Sequence, residues 1–137
     1  FKRNLDIVKF FQFLPRDKFS FINLQYGISN NDLIELRNNY GIEIFNFSQI
    51  NLFQNIDAQA ALIDACDVVV SIANSVAHLS SSLNKNTKVI LPKVCDWRWG
   101  LNGEKSFWYK NTKLYRQKDL SDWDYVYKKI SDDLKKL

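Results

Sequence analysis

The chain has 137 residues, a formal net charge of +4, 46% hydrophobic and 25% charged residues. That balance excludes a disordered tail, and no apolar run approaches the ~20 residues needed to cross a bilayer. Ten phenylalanines, six tyrosines and four tryptophans supply a core for one domain over residues 1–137. Phe1 opens the chain and methionine is absent, which points to a fragment of a larger chain. The mild positive charge suits an anionic small ligand and does not demand DNA. Cys66 and Cys95 lack metal or disulfide spacing, so a reducing, cytoplasmic location is the default, with Cys66 a small buried hydrophobe.

Read in chain order, Asn4 is placed to cap a helix over Leu5–Phe13 that Pro15 ends. "FSFINL", Phe19–Leu24, alternates as a strand. Asn30 or Asn31 then caps a helix through "DLIELRNNY", and Gly41 sits where a left-handed cap is wanted. "IEIFNF", Ile42–Phe47, reads as a second strand. Asp57 caps "AQAALIDAC", and "DVVVS", Asp67–Ser71, is a short apolar strand of the type buried on both faces of a parallel sheet. Ser75 opens the next helix, and "TKVILP" from Thr87 is the fourth strand. A long aromatic loop leads to "KLYRQ", a fifth strand. The last helix starts near Ser121 or Asp122, with Trp123, Val126, Tyr127, Ile130, Leu134 and Leu137 on one face.

Alternation of strand and helix with short loops specifies an α/β fold, a doubly wound, mostly parallel Rossmann-like sheet. Ligands in such folds bind beyond the C-terminal strand ends, where Gln25-Tyr26-Gly27, Ser71–Ser75 and the segment after Pro92 are expected to meet. With Ser75 as cap, free amides and the helix dipole make an anion site, and Asn74 and His78 flank it. A capped junction without a ligand and a histidine used only for packing fit the same spacing. Neither the glycine-rich dinucleotide fingerprint nor the Walker pattern is present.

"VVVSIANSVAHLSSSLNKNTKVILP" resembles the donor-binding segment of bacterial GT-B glycosyltransferases of the heptosyltransferase-like group. "FINLQYG", "DWRWGLNGEKSFWYKNTKLYRQ" and "DWDYV" resemble the C-terminal region of tetratricopeptide-repeat proteins that carry this half. The likeness runs from Phe19 onward. It implies a nucleotide-sugar donor, with Asn74, Ser75 and His78 at its diphosphate. Gln25, Tyr26 and Gly27 would line the cleft, and Asp96, Trp97, Arg98 and Trp99 would form a covering loop. It further implies an acceptor-binding N-terminal half, tetratricopeptide repeats, no cofactor or metal, no nucleic acid and no transmembrane segment. Ala73 stands where the group has Asp, and Asn84 and Asn86 replace its Gly and Pro.

No residue reads as the base a sugar transfer needs, so this half is expected to bind without catalysing. Asp122-Trp123-Asp124 spells the D-x-D of metal-dependent transferases but reads as an acidic helix start. Trp97, Trp99 and Trp108 serve either ligand stacking or packing under a loop, and Arg98 and Arg116 either phosphate or structure. A non-catalytic scaffold derived from the fold is the alternative that Ala73 favours. Nucleic-acid binding through the aromatic loop is the third reading, weakened by the acidic residues within it.

Overall fold

A computed structural model describes residues 5–120 and 122–137. The expected cap Asn4 and the alternative helix start Ser121 lie outside them. The elements in order are α1 (Ile7–Phe13), β1 (Phe21–Ile22), α2 (Asn30–Tyr40), β2 (Ile44–Phe45), α3 (Ile56–Ala65), β3 (Val68–Ile72), α4 (Ser75–Ser82), β4 (Asn86–Leu91), β5 (Thr112–Arg116) and α5 (Asp124–Leu134). The fold is α/β with parallel strands. Its ladders form two small sheets, β1-β2 and β3-β4-β5.

The first two strands are shorter than their alternation predicts. Past Ile22, the Asn23 backbone donates to Phe45 at 2.9 Å, but its side chain turns to local work. Asn23 Oδ1 accepts from the Gln25 amide, and its Nδ2 donates to Gln25 O and Asn46 Oδ1. An asparagine that bonds its own neighbours bends the chain out of a ladder.

Several helix starts also differ from expectation. Asp6 caps α1; Ser29, not Asn30 or Asn31, caps α2 in a reciprocal box with Asp32; Asn55, not Asp57, caps α3. Gly41 is left-handed as expected (φ 62°). Asn84 is left-handed as well (φ 57°), and it closes α4 with Lys85 N to Ser80 O and Asn84 N to Ser81 O, both 3.0 Å. That paired C-terminal closure explains why an asparagine serves where glycine is usual.

The three-stranded sheet is covered on both sides, as a doubly wound arrangement requires. Ile90 and Tyr115 face α1 and α5, packing with Phe10, Val126, Tyr127 and Ile130. Val89, Leu91 and Leu114 face α4, and Val69 joins Ile63 of α3 and Val76 of α4. Leu137 lies beyond the end of α5 and is exposed, not part of its apolar stripe.

Parallel strands need a crossover, and between β4 and β5 it is not a helix. Residues 92–111 carry it as an irregular segment containing one 3-10 turn, Trp97–Trp99. Trp99, 2% exposed, packs among Ala77, Val89, Leu91 and Leu114, filling the place a crossover helix would cover.

Polar groups buried in the sheet are matched. Thr87 Oγ1 donates to Ser80 Oγ, and Thr112 Oγ1 to Ser81 Oγ, so hydroxyls join α4 to β4 and β5. On the other face Asp133 accepts from Lys113 and Tyr115, and Lys88 reaches the Tyr115 hydroxyl at 3.4 Å. Burial alone would raise the Asp133 carboxyl, but those two donors outweigh it and hold it well below the usual range. Burial pushes the Lys88 ammonium down.

Truncating Leu114, fully buried against Trp99, opens a cavity at the joint between crossover and sheet. Leu114→Ala is expected to cost about 2–5 kcal/mol in urea unfolding.

Candidate functional site

The site grows from the C-terminal end of β3. The Asn74 amide donates to Ile72 O at 2.8 Å, turning the chain sharply off the strand. Asn74, not Ser75, is the cap of α4: its Oδ1 accepts from the Ala77 amide (3.2 Å) and from Ser71 Oγ (2.9 Å). Ser75 is therefore the first helical residue. The cap satisfies the Ala77 amide, and the Ser75 and Val76 amides have no hydrogen-bond partner among the described residues. Asn74 and Ser75 are both exposed, so this end of the helix opens outward.

His78 is held from the opposite side. Its Nδ1 pairs with the Tyr109 hydroxyl at 2.9 Å, and its ring stacks on Trp99 at 4.6 Å with 24° between planes. Tyr109 and Trp99 both belong to the crossover, so His78 is the clasp between α4 and that segment. Burial pushes the imidazole below its ordinary value, Arg98 adds to the effect and Asp96 opposes it.

The crossover is organised from beneath by Arg116 at the end of β5. Its Nε donates to Gly103 O (2.8 Å), one terminal nitrogen to Gly100 O (3.2 Å) and Cys95 Sγ (3.1 Å), and the other to Trp99 O. Arg116 is thus structural, the second of the two roles its sequence left open. Arg98 pairs with Asp96 at 2.9 Å and lies 5.0 Å over the Trp97 ring. Asp96 also accepts from the Arg98 amide and so caps the 3-10 turn. Trp97 is exposed while Trp99 is buried, which divides the two indoles between surface and packing.

Gln25, Tyr26 and Gly27 line an open hollow of about 420 Å³, whose other walls come from Asn23, the start of α2 and the β2–α3 connection. Tyr26 packs against Phe53 there, with ring centroids 5.1 Å apart. The loops therefore group as two pairs: the crossover clasps α4 through His78, and the β1 loop faces the β2 loop. Leu24 packs with Val76 and Ile63 between them, and Gln59 Nε2 donates to Leu24 O at 3.3 Å.

The D-x-D pair is committed elsewhere. Asp122 accepts from the Asp124 and Tyr125 amides, and Asp124 pairs with Lys9 at 2.7 Å. No cluster of three or more His, Cys, Asp or Glu side chains suited to a metal occurs among the described residues. Both cysteines are half-buried and free, so Cys66 is less enclosed than its apolar setting predicts. Tyr109 and Asn23 are the organising residues that sequence reading missed. Tyr109 acts through His78, 31 residues away, and Asn23 through Asn46, 23 residues away, as well as its neighbour Gln25; both lie in the stretches that carry the resemblance, but no local pattern names those partners.

Gly100 has φ 72° and ψ 176°, a conformation essentially reserved for glycine. A Cβ there would also meet the Phe107 ring at 2.7 Å, though that exposed ring is free to swing away. Gly100→Ala is expected to destabilise the fold by about 1–3 kcal/mol, with altered near-ultraviolet circular dichroism from the crossover tryptophans.

His78 supplies a pH test. Its depressed value means the folded chain binds fewer protons than the unfolded one in mild acid. Its contribution is complete above about pH 6.5 and is lost as pH falls below that. Melting curves from pH 8 to pH 5 should show a smaller acid-induced drop for His78→Gln than for the unsubstituted chain.

No protein-family model matches the chain, and no solved structure matches it. Among curated proteins it is similar to Protein FlbA of Caulobacter vibrioides, 24% identical over 115 residues. The aligned stretch covers 84% of this chain and 19% of that protein, so the chain spans about a fifth of its relative's length. The relative's name states neither an activity nor a ligand.

Proposed function

We propose that this chain is the nucleotide-sugar (donor) binding half of a GT-B glycosyltransferase, holding the donor diphosphate at the N-terminus of α4. The observation that carries this reading is the pair of Ser75 and Val76 amides that have no partner among the described residues, beside the exposed Asn74-Ser75 corner at the C-terminal edge of a parallel sheet. The resemblance of residues 68–92 to the heptosyltransferase-like donor segment supports it, as does the likeness of the crossover to the tetratricopeptide-repeat proteins that carry such a half.

In this reading the residues act electrostatically. The Ser75 and Val76 amides and the α4 dipole stabilise charge that grows on the leaving diphosphate. Asn74 commits its oxygen to the cap, which leaves its Nδ2 as a donor at the same mouth. In the tautomer in which Tyr109 donates to Nδ1, His78 carries its proton on Nε2, a further donor. The acceptor and the base that takes its proton belong to the N-terminal half, with tetratricopeptide repeats alongside. The chain by itself binds and does not catalyse. No metal enters this scheme.

Ala73 favours a second reading, a non-catalytic scaffold kept for its fold. Ser75→Pro separates the two. Proline is compatible with the first helical position and with the extended Asn74 before it, so the substitution deletes one free N–H and leaves the helix. Calorimetry with ADP, GDP and UDP should show binding to the unsubstituted chain, weakened about tenfold or more by Ser75→Pro. No heat with any of the three would leave the scaffold reading.

A further inference from the structure

The crossover carries a concentration of exposed apolar side chains: Val94, Trp97, Leu101, Phe107 and Trp108. Two of these are held in place. Trp97 and Trp108 are 70% and 63% exposed, yet their rings meet edge to face at 6.5 Å and 79°. Trp108 Nε1 donates to Arg98 O at 3.0 Å, and its amide donates to Ser106 Oγ at 3.1 Å. Arg98, fixed by Asp96, covers Trp97 with its guanidinium. Arg116 grips the backbone of the same turn. Two large rings are thus offered to solvent in a fixed corner, so a ligand that stacks there loses little to ordering the protein.

The chemistry of the corner selects among ligands. A sugar ring needs hydroxyl partners beside the indole. Here Asp96 Oδ1 is committed to Arg98, and the Trp108 N–H is committed to a carbonyl. What remains is π-surface and positive charge. In residues 93–110, Lys93 pairs with Asp119, Arg98 with Asp96 and Glu104 with Lys113 and Lys129, which leaves Lys105 and Lys110 outside any ion pair among the described residues. A flat heteroaromatic ring on an anionic chain matches that surface. The corner adjoins α4: Trp99 and Tyr109, each next in sequence to a member of the corner or to Arg98, are the residues that hold His78.

We propose that Trp97 and Trp108 are the base platform of this protein, stacking the nucleobase of a nucleotide. The identity of that nucleotide's phosphate site rests on the α4 reading above; the stacking does not. Calorimetry compares the unsubstituted chain, Trp97→Ala, Trp108→Ala and Trp97→Phe, titrated with adenosine, uridine, ADP and inorganic pyrophosphate. Each alanine variant should weaken ADP and nucleoside binding about tenfold, and pyrophosphate binding should be unchanged. Trp97→Phe keeps a ring and should retain most of the affinity, which guards against misreading a folding defect.

Nucleoside binding that falls with Trp97→Ala, in a chain that ignores pyrophosphate, upholds the platform and removes the α4 diphosphate site. Pyrophosphate binding with ADP affinity equal in all four proteins upholds α4 and overturns the platform. The platform is also overturned if the unsubstituted chain binds neither nucleoside nor ADP, or if methyl glucoside binds where adenosine and uridine do not.

Discussion

The interaction on which the candidate site depends is the Arg116 guanidinium and the carbonyls it gathers. A helical crossover would satisfy its own backbone, whereas an irregular one exposes acceptors that must find donors. Arg116 donates to Trp99, Gly100 and Gly103, three carbonyls at and just after the 3-10 turn. A planar fork with five N–H groups suits that task, and a lysine would not. Because β5 anchors Arg116 in the sheet, the turn inherits the sheet's rigidity.

From that anchor the rest follows in steps. With the turn fixed, Trp99 closes the sheet face beside α4 and presents its ring to His78. Tyr109, at the far end of the same segment, meets the edge of the imidazole and pairs with its Nδ1. The position of α4 relative to the crossover is therefore set by a cluster of three rings, one stacked and one edge-on to the imidazole, and one hydrogen bond. Asn74 then decides which amides remain free. Its side chain takes the third amide of the helix and leaves the first two without a partner among the described residues. A neutral imidazole suits this packing, since a charged one would sit against Arg98.

The opposite face follows a different rule. There the apolar packing of α1 and α5 is interrupted at one end by Lys88, Lys113, Tyr115 and Asp133, which satisfy one another. Such a network specifies how α5 seats on the sheet rather than adding greatly to stability, because its desolvation offsets much of its attraction. Lys88 and Lys113 lie in the N-terminal halves of β4 and β5 and Asp133 near the end of α5, with the Tyr115 hydroxyl joining them from further along β5.

Much was legible in advance because it depends on neighbours in sequence. Five strands, five helices and their parallel order follow from period, length and turn residues. The left-handed position at Gly41 follows from a glycine placed just past a helix. The placement of free amides beyond β3 follows from topology. Local competition was harder to read: several polar residues lie before each helix, and the choice of Ser29, Asn55 and Asn74 as caps depends on which side chain geometry reaches back. Only the tertiary structure assigned Arg116 to carbonyls, divided Trp97 from Trp99 and gave His78 to Tyr109. Those pairings span 13 to 31 residues of chain. Local pattern cannot encode them, because they form when an irregular segment finds donors and apolar cover wherever the folded sheet provides them.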